Sequence, residues 1–401
     1  MILTSSTAFA QVPGGPPKHQ ATRHHGQARA LAISNGPPQF GAPLPGLTPA
    51  QLLDFSAGLD EFENVEDAEG GLGPVFNNVS CVSCHSSGAT GGGGAVTVTR
   101  FGRFANGQFD PLTSRGGSLL QQRAIAVEAL ENVPAEANVI AHRQSTPLFG
   151  LGLIEAIADA DILRNAQRPQ VDGIRGRAVM VHDVVSGTQR VGRFGWKAQL
   201  ASVLAFAGDA YLNEMGITSR FFPVENAPNG DLATLAAFDH LSDPEDVPDS
   251  VTGKGDIDVA ADFMRFLAPP PTLPLTPSAN AGRQVFQQLN CAACHQPLMI
   301  TGPNPVAALS QKPVALFSDL LVHDMGALGD GIVQGAAGPR EMRTAPLWGL
   351  RASAPYLHDG RASTLDDAIR AHDGEAKNAR DRYRTLNPLQ RQQLMDFLNS
   401  I

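Results

Sequence analysis

Apolar residues recur at helical spacing at both ends of the segment 278–401. The first stretch follows Ser278, a residue type that caps helices, and its apolar face consists of Gly282, Val285, Phe286 and Leu289. The last stretch follows Asn387-Pro388, and its apolar face consists of Leu394, Phe397, Leu398 and Ile401. A helix is therefore predicted at each end of this segment.

A third, shorter helix is predicted between them, and it carries a histidine. Ser363 with Asp366 resembles the start of a capping box, and Gly374 is a candidate stop. The apolar stripe consists of Leu365, Ala368, Ile369 and His372. A histidine on such a stripe is usually a core residue, unless a metal nearby needs a ligand.

The composition favours a loop-rich globular protein. The chain has 401 residues, with 41 glycines and 30 prolines, and only 6% of the residues are aromatic. No segment alternates strands and helices in the rhythm of a doubly wound fold. We therefore expect a mainly α fold, in which something other than aromatic side chains fills part of the interior.

Charge and hydropathy exclude two classes of function. The net charge of −9 disfavours binding to nucleic acid, but it fits an acidic protein that meets a basic partner. No apolar run approaches the roughly 18 residues of a membrane span. Residues 1–10 end in Ala8-Phe9-Ala10, which resembles a secretory cleavage site and favours export.

All four cysteines belong to two C-x-x-C-H motifs. One is Cys81-Val82-Ser83-Cys84-His85, and the other is Cys291-Ala292-Ala293-Cys294-His295. This is the attachment signature of c-type haem, in which two thiols add to the vinyl groups and the histidine binds iron. A zinc site or a redox dithiol would not require a histidine directly after each pair. Two covalent haems are therefore predicted.

The chain resembles a duplicated unit with an inserted middle region. The motifs are 210 residues apart, and the run Pro147-Leu148-Phe149-Gly150-Leu151 is echoed by Pro346-Leu347-Trp348-Gly349-Leu350. Arg143 and Arg343 precede these runs. We expect a signal remnant and mobile arm (1–46), a first cytochrome-c-like domain (47–222), a loop and linker region (223–277) and a second cytochrome-c-like domain (278–401).

The sixth ligand of each iron distinguishes an electron carrier from a catalyst. For the second haem the best candidate is His372, with Met325 and Met342 as rivals. For the first haem, no His or Met occurs between His85 and His142. His142, Met180 or His182 would have to reach this iron from farther away. Otherwise the first site is open to water, peroxide or oxygen, and it is the expected reaction centre.

Five residues are candidates for other roles at these sites. Glu155 lies between apolar residues and is the first candidate for acid–base catalysis, followed by His142. Trp348 could contact a haem, as could Trp196, although core packing explains either equally well. Arg361 could pair with a haem propionate.

Several runs resemble the bacterial di-haem cytochrome c peroxidase superfamily, and within it the di-haem oxidoreductase branch. The resemblance covers about residues 47–401. It depends on Gly73–Asn77, Gly192–Ala198, Arg343–Leu350, His323-Asp324-Met325-Gly326, Tyr356–Arg361 and Gly374-Glu375-Ala376.

The resemblance implies a periplasmic protein that exchanges electrons with small redox proteins. In this superfamily, the helix after the HDG motif carries the distal ligand of the second haem, and His372 stands there, fourteen residues after His358. The peroxidases carry Met at this place, so the second haem is more similar to that of the rubber-cleaving di-haem oxygenases. The peroxidases also have a displaceable His after the first motif, which this chain lacks, and a calcium ion whose ligands are not readable here.

Three functions follow as hypotheses. The first is a peroxidase-like oxidoreductase that reduces hydrogen peroxide at the first haem with electrons that enter through the second. The second is a non-enzymatic electron-transfer cytochrome. The third is an oxygenase that acts on an organic substrate.

The cysteine pattern predicts the covalent state of the mature protein. Because every cysteine belongs to a haem motif, the chain should carry two covalent haems and no disulfide. Intact mass spectrometry under denaturing conditions measures this directly. An apoprotein mass from a host that attaches haem c would contradict the prediction.

Overall fold

Ten α-helices and twelve short strands make up the regular structure of residues 39–401, the part of the chain that the computed structural model describes. The helices α1–α10 are Pro49–Glu63, Leu151–Glu155, Asp159–Ala166, Val203–Ala210, Leu232–Phe238, Asp256–Phe266, Pro277–Gln288, Leu365–Ala371, Lys377–Arg384 and Pro388–Ser400. The predicted signal-like start and most of the predicted arm lie outside the described residues. None of the described helices has the length and hydrophobicity that crossing a membrane requires.

The strands form small antiparallel sheets. In chain order β1–β12 are Val75–Phe76, Thr97–Ala105, Gln108–Asp110, Leu119–Leu120, Arg123–Ala124, Val139–Gln144, Met180–Asp183, Thr188–Val191, Met299–Ile300, Pro313–Val314, Val322–Asp324 and Glu341–Arg343. The largest sheet has β2 at its centre, paired with β3, β4 and β6. The expectation of a mainly α fold therefore misses a four-stranded sheet in the first half of the chain.

Helices α1 and α6 cross at the centre of the larger hydrophobic core. The ring of Phe263 lies 5.2 Å from that of Phe55 and 4.9 Å from that of Phe62, measured between centroids. Gly58 allows this approach, because a β-carbon there would stand 2.4 Å from the carbonyl oxygen of Val259. The core extends from residue 44 to residue 348.

The middle region contains two helices that the sequence analysis treats as loop and linker. Helix α5 lies within 223–256, and α6 supplies Ile257, Phe263 and Met264 to the larger core. The apolar residues of α6 have helical spacing, but the polar stretch before them and the prolines after them dominate this part of the sequence.

The two terminal helices of the predicted second domain are confirmed, with a shift in one cap. Helix α7 begins at Pro277 and is capped by Thr276 rather than by Ser278, because the Thr276 hydroxyl accepts from the backbone N–H of Ala279. Helix α10 has a capping box between Asn387 and Gln390.

Helices α7 and α10 pack through a glycine. A β-carbon at Gly282 would stand 1.8 Å from the carbonyl oxygen of Gln393, so no larger residue fits. Beside this contact, the ring of Phe286 lies 5.5 Å from that of Phe397 and 6.1 Å from that of Phe317. The crossing supports the loop that follows Cys291.

Replacing Gly282 with Ala should lower the free energy of unfolding. The added methyl group meets backbone rather than a flexible side chain, and such overpacking costs about 1–3 kcal/mol. Denaturant unfolding of the haem-loaded protein measures the loss. Gln284→Ala on the exposed face of the same helix is the control and should change little. Equal stability of the Gly282 variant and the wild type would contradict this packing.

Candidate haem-binding sites

The second motif opens onto a cavity with two facing histidines, which we call the second cavity because it lies at the second motif. Asn290 adopts a left-handed conformation, and a short 3-10 turn then presents Cys291 and Cys294 to the cavity. The rings of His295 and His372 lie 6.5 Å apart between centroids and are inclined by 59°. A metal–imidazole bond is about 2.0 Å long, so two imidazoles on one metal ion stand about 6 Å apart. The spacing fits one haem iron between them.

Carbonyl groups fix the orientation of both rings. The Nδ1 atom of His295 lies 3.0 Å from the carbonyl oxygen of Phe317, and that of His372 lies 2.8 Å from that of Ala368. Each Nδ1 therefore donates a hydrogen bond, which leaves each Nε2 free as a metal ligand. Burial lowers the pKa of His295 to about 4 and also lowers the pKa of His372, so both stay neutral, as ligation requires.

Helix α8 delivers His372 through its C-terminal end. The helix is capped by Thr364, whose hydroxyl accepts from the backbone N–H of Asp367, rather than by Ser363 and Asp366 as the sequence suggests. It ends at Ala371, so His372 is the C-cap and not a residue of the helical stripe. The guanidinium of Arg380 donates to the His372 carbonyl oxygen at 2.9 Å and holds this turn.

The rival ligands of the second iron line the same cavity. Met325 follows β11, and Met342 lies in β12 and is buried. The side chain that faces the His295 ring is that of His372 and not that of either methionine. The geometry therefore supports His372, as the sequence predicts.

The first motif presents one oriented imidazole. The Nδ1 atom of His85 lies 3.1 Å from the carbonyl oxygen of Gly92, and burial lowers the pKa of His85 to about 4. The glycine run 91–94 wraps closely around the motif. A β-carbon at Gly92 would stand 1.9 Å from the Ser87 carbonyl oxygen, and one at Gly94 would stand 2.1 Å from that of Cys84. This run was a visible sequence signal, because only glycine permits such contacts.

The three residues suggested as a sixth ligand of the first iron face solvent. His142 lies on β6 and its Nδ1 atom is 3.3 Å from the Thr99 hydroxyl, while Met180 and His182 lie on β7. This placement supports an open first iron. It also leaves His142 without an enclosed position for acid–base catalysis.

A polar group that the sequence analysis missed lies beside the first motif. It consists of Arg100 on β2, Asp209 on α4, and Glu214 in the π-helical turn Tyr211–Met215 that follows α4. The Asn77 amide donates to Glu214 at 2.8 Å. Asn78 connects this group to the motif, because its backbone N–H donates to the Glu214 carbonyl oxygen and its side-chain amide donates to Cys84 Sγ at 3.5 Å. A π-helical turn often marks a functional site.

The carboxyl groups of this cluster hold protons more tightly than usual. Burial raises the pKa of Asp209 to about 6, although the Arg100 guanidinium opposes this rise. Burial also raises the pKa of Glu214, and the Asp209 charge adds to the effect. Perturbed carboxyls next to a guanidinium are candidates for proton transfer.

Glu155 occupies a different environment. One carboxylate oxygen accepts from the backbone N–H of Val203 at 2.7 Å, at the start of α4, and the other accepts from the Arg265 guanidinium at 2.9 Å. These contacts give the side chain a role in joining α2, α4 and α6. An acid–base role for Glu155 stays a prediction.

Both tryptophans line the second cavity. Trp348 packs against Gly150, where a β-carbon would stand 2.7 Å from the ring. Trp196 donates to the Gln144 carbonyl oxygen at 2.8 Å, and its ring centroid lies 6.2 Å from that of His358. The segment 144–147, which begins at the last residue of β6, lines this cavity and also contacts the first motif, so it is a wall shared by the two sites.

Arg343 fits a haem propionate better than Arg361 does, and Arg143 adds positive charge near His358 in the wall of the second cavity. Arg361 is half-exposed and pairs with Asp359 at 2.5 Å. Arg343 is buried, lines the second cavity and donates to the backbone oxygens of Gly195 and Thr344, without an ion pair to a described carboxylate. Arg143 shares buried Asp330 with Lys197, at 2.6 and 2.9 Å. The excess positive charge suits the carboxylates of haem.

The described residues contain no group of three or more His, Cys, Asp or Glu side chains arranged to hold a metal ion. The calcium ion that the resemblance suggests therefore gains no ligand set from these side chains. Calcium binding stays untested, because backbone oxygens also serve as its ligands.

The sequence pattern of a family described as "Di-haem oxidoreductase, putative peroxidase" matches residues 124–401. Among solved structures, hydrazine synthase of Kuenenia stuttgartiensis is 15% identical over 94% of this chain and 100% of its own, with a TM-score of 0.40. A MauG-like protein associated with microbial copper homeostasis is 15% identical over 94% and 95%, with a TM-score of 0.40. A variant of the di-haem peroxidase BthA from Burkholderia thailandensis is 12% identical over 92% and 91%, with a TM-score of 0.37. No curated protein sequence matches the chain closely enough to count as a relative.

Replacing His372 with Ala should convert one low-spin haem to high-spin. The second iron loses a strong-field nitrogen, while the first haem should keep its spectrum. Optical and magnetic spectra of the oxidised variant measure this change. Met325→Leu is the control and should leave both haems as in the wild type. An unchanged spectrum of the His372 variant would transfer the ligand role to another group.

Proposed function

The chain belongs to the di-haem oxidoreductase family, and from this premise we propose that it is a periplasmic c-type oxidoreductase that reduces hydrogen peroxide at its first haem. Electrons would enter through the second haem, from a small redox protein. The observation that carries the proposal is the difference between the two sites. Two oriented imidazoles face each other in the second cavity, whereas the first motif presents one imidazole beside a charged polar group.

The conversion of one hydrogen peroxide to two waters consumes two protons and two electrons. Haem, when bound at the first site, would provide the redox centre that passes on the electrons donated by the small redox protein. Cys81 and Cys84 would hold the haem, and His85 would ligate its iron through Nε2. The same assignment applies to Cys291, Cys294 and His295 at the second site, where His372 completes the pair. The protein must then supply a route for the protons and an environment for the developing charge.

The group of Arg100, Asp209 and Glu214 has the chemistry for both tasks. A carboxyl with a pKa of about 6 can accept a proton from peroxide and return it to the departing oxygen near neutral pH. The Arg100 guanidinium donates to the Ser118 hydroxyl at 3.2 Å and remains a fixed positive charge beside the carboxyls. Such a charge stabilises negative charge that develops on oxygen during the reaction.

The residues around the second haem would conduct electrons into the protein and would not take part in the reduction of peroxide. The cavity wall contains Trp196 and Trp348, and its segment 144–147 also contacts the first motif. A wall shared by two redox centres suits electron transfer between them. The acidic net charge of the chain suits a basic donor protein.

A non-enzymatic electron carrier is the second candidate, and the paired imidazoles of the second cavity favour it for that half of the molecule. Steady-state assays with peroxide and a reduced small cytochrome distinguish the two. Turnover that requires both substrates supports the peroxidase. Reversible electron exchange without consumption of peroxide would show that the protein is an electron carrier and not a peroxidase.

Replacing Asp209 with Asn should slow peroxide reduction by about 10²–10⁴-fold, because general acid–base assistance is lost. Since the proton acceptor must be deprotonated, wild-type activity should fall as the pH decreases through about 6, and the variant should lose this inflection. Stopped-flow kinetics across pH 5–8 measures both effects.

Glu155→Gln tests the competing assignment under the same conditions. It should lower stability through the lost ion pair with Arg265 but keep the pH profile of the wild type. Slow peroxide reduction in the Glu155 variant, together with normal kinetics in the Asp209 variant, would instead identify Glu155 as the acid–base group.

A further inference from the structure

His323 is a buried histidine with a carboxylate on each side. It lies on β11 and is 2% exposed. Its Nε2 atom is 3.0 Å from an Asp319 carboxylate oxygen, and its Nδ1 atom is 2.8 Å from a Glu375 carboxylate oxygen. Because both ring nitrogens face acceptors, both carry a proton, and the ring is an imidazolium.

The environment holds this charge in place. Burial alone would lower the pKa of His323, but its bonds to the Asp319 and Glu375 carboxylates raise it well above the usual value for histidine. The ring also packs against the chain at Gly176, where a β-carbon would stand 2.3 Å from Cε1. A ring confined in this way keeps both its position and its charge at any physiological pH.

Asp319, His323 and Glu375 form a triad. The contacts of this triad reach both segments that hold the second haem. Nδ1 of His323 lies 3.7 Å from Cys294 Sγ, and the backbone N–H of Asp319 donates to the Cys294 carbonyl oxygen at 2.9 Å. Glu375 lies three residues after His372, and its carboxylate also accepts from the backbone N–H of Arg175 at 2.7 Å. The triad therefore connects the attachment motif with the segment that carries the distal imidazole.

We propose that His323 is a positioning residue of the second haem, a fixed imidazolium that joins the Cys294 and Glu375 segments and sets the reduction potential of that haem by its charge. The inference rests on the haem that the proposed function assigns to the second site, and not on peroxide as the substrate. The imidazolium and its two carboxylates together carry one net negative charge. Negative charge near an iron favours its oxidised state, which has one more positive charge.

Two single substitutions should shift the potential in opposite directions. His323→Gln removes a positive charge and should lower the potential of the second haem. Glu375→Gln removes a negative charge and should raise it. A role in packing alone predicts no such relation of sign, because loosening the site acts alike in both variants.

Spectroelectrochemical titration at pH 8 measures the potential of the low-spin haem without peroxide or a donor protein, so the result is independent of the proposed activity. His240→Gln at an exposed position is the matched control and should leave the potential unchanged. If His323→Gln does not fold, His323→Asn replaces it, and this variant should lower the potential as His323→Gln would, opposite to Glu375→Gln. Shifts of the same sign for His323→Gln and Glu375→Gln, or unchanged potentials, would overturn the proposal.

Discussion

The separation of two imidazole rings is the constraint around which the second half of the molecule is arranged. His295 and His372 come from segments far apart in the chain, yet their rings face each other at 6.5 Å. The crossing of α7 and α10 supports the first ring, and the end of α8 supports the second. Carbonyl oxygens of Phe317 and Ala368 then fix the direction of each Nε2. These elements together set that one distance.

The two sites differ in what surrounds their oriented histidine. In the second, apolar side chains, a distal imidazole and a closed ionic triad leave little freedom. In the first, the glycine run 91–94 packs closely against one side of His85. Beside the motif, Asp209 and Glu214 have raised pKa values and lie near the Arg100 guanidinium. Buried carboxyls with perturbed pKa values cluster at functional sites. The contrast favours division of labour between an electron entry site and a reaction site.

The sequence predicts what depends on local spacing. The haem motifs and helices α7 and α10 follow from short patterns. His372 is predicted from a helical stripe and a nearby iron, although it lies one residue beyond the end of α8. Two caps lie one or two residues from their predicted positions, which is the usual uncertainty of helix ends. The cluster of Arg100, Asp209 and Glu214 cannot be predicted in this way, because it brings together residues of β2 and α4 that are more than a hundred positions apart in the chain. The β-branched and aromatic residues of Thr97–Phe104 did carry a strand signal, yet nothing local reveals that Arg100 lies near Asp209. The echoed runs share a left-handed glycine, Gly150 and Gly349, before a helical turn, which is consistent with duplication.

Electron paramagnetic resonance of the oxidised, haem-loaded protein tests the central claim most directly, because spin integration counts the two kinds of iron separately. The account predicts one low-spin ferric haem with two imidazole ligands and one high-spin ferric haem, in equal amounts. Two low-spin haems in the resting protein, each with two strong-field ligands, would contradict the open first site.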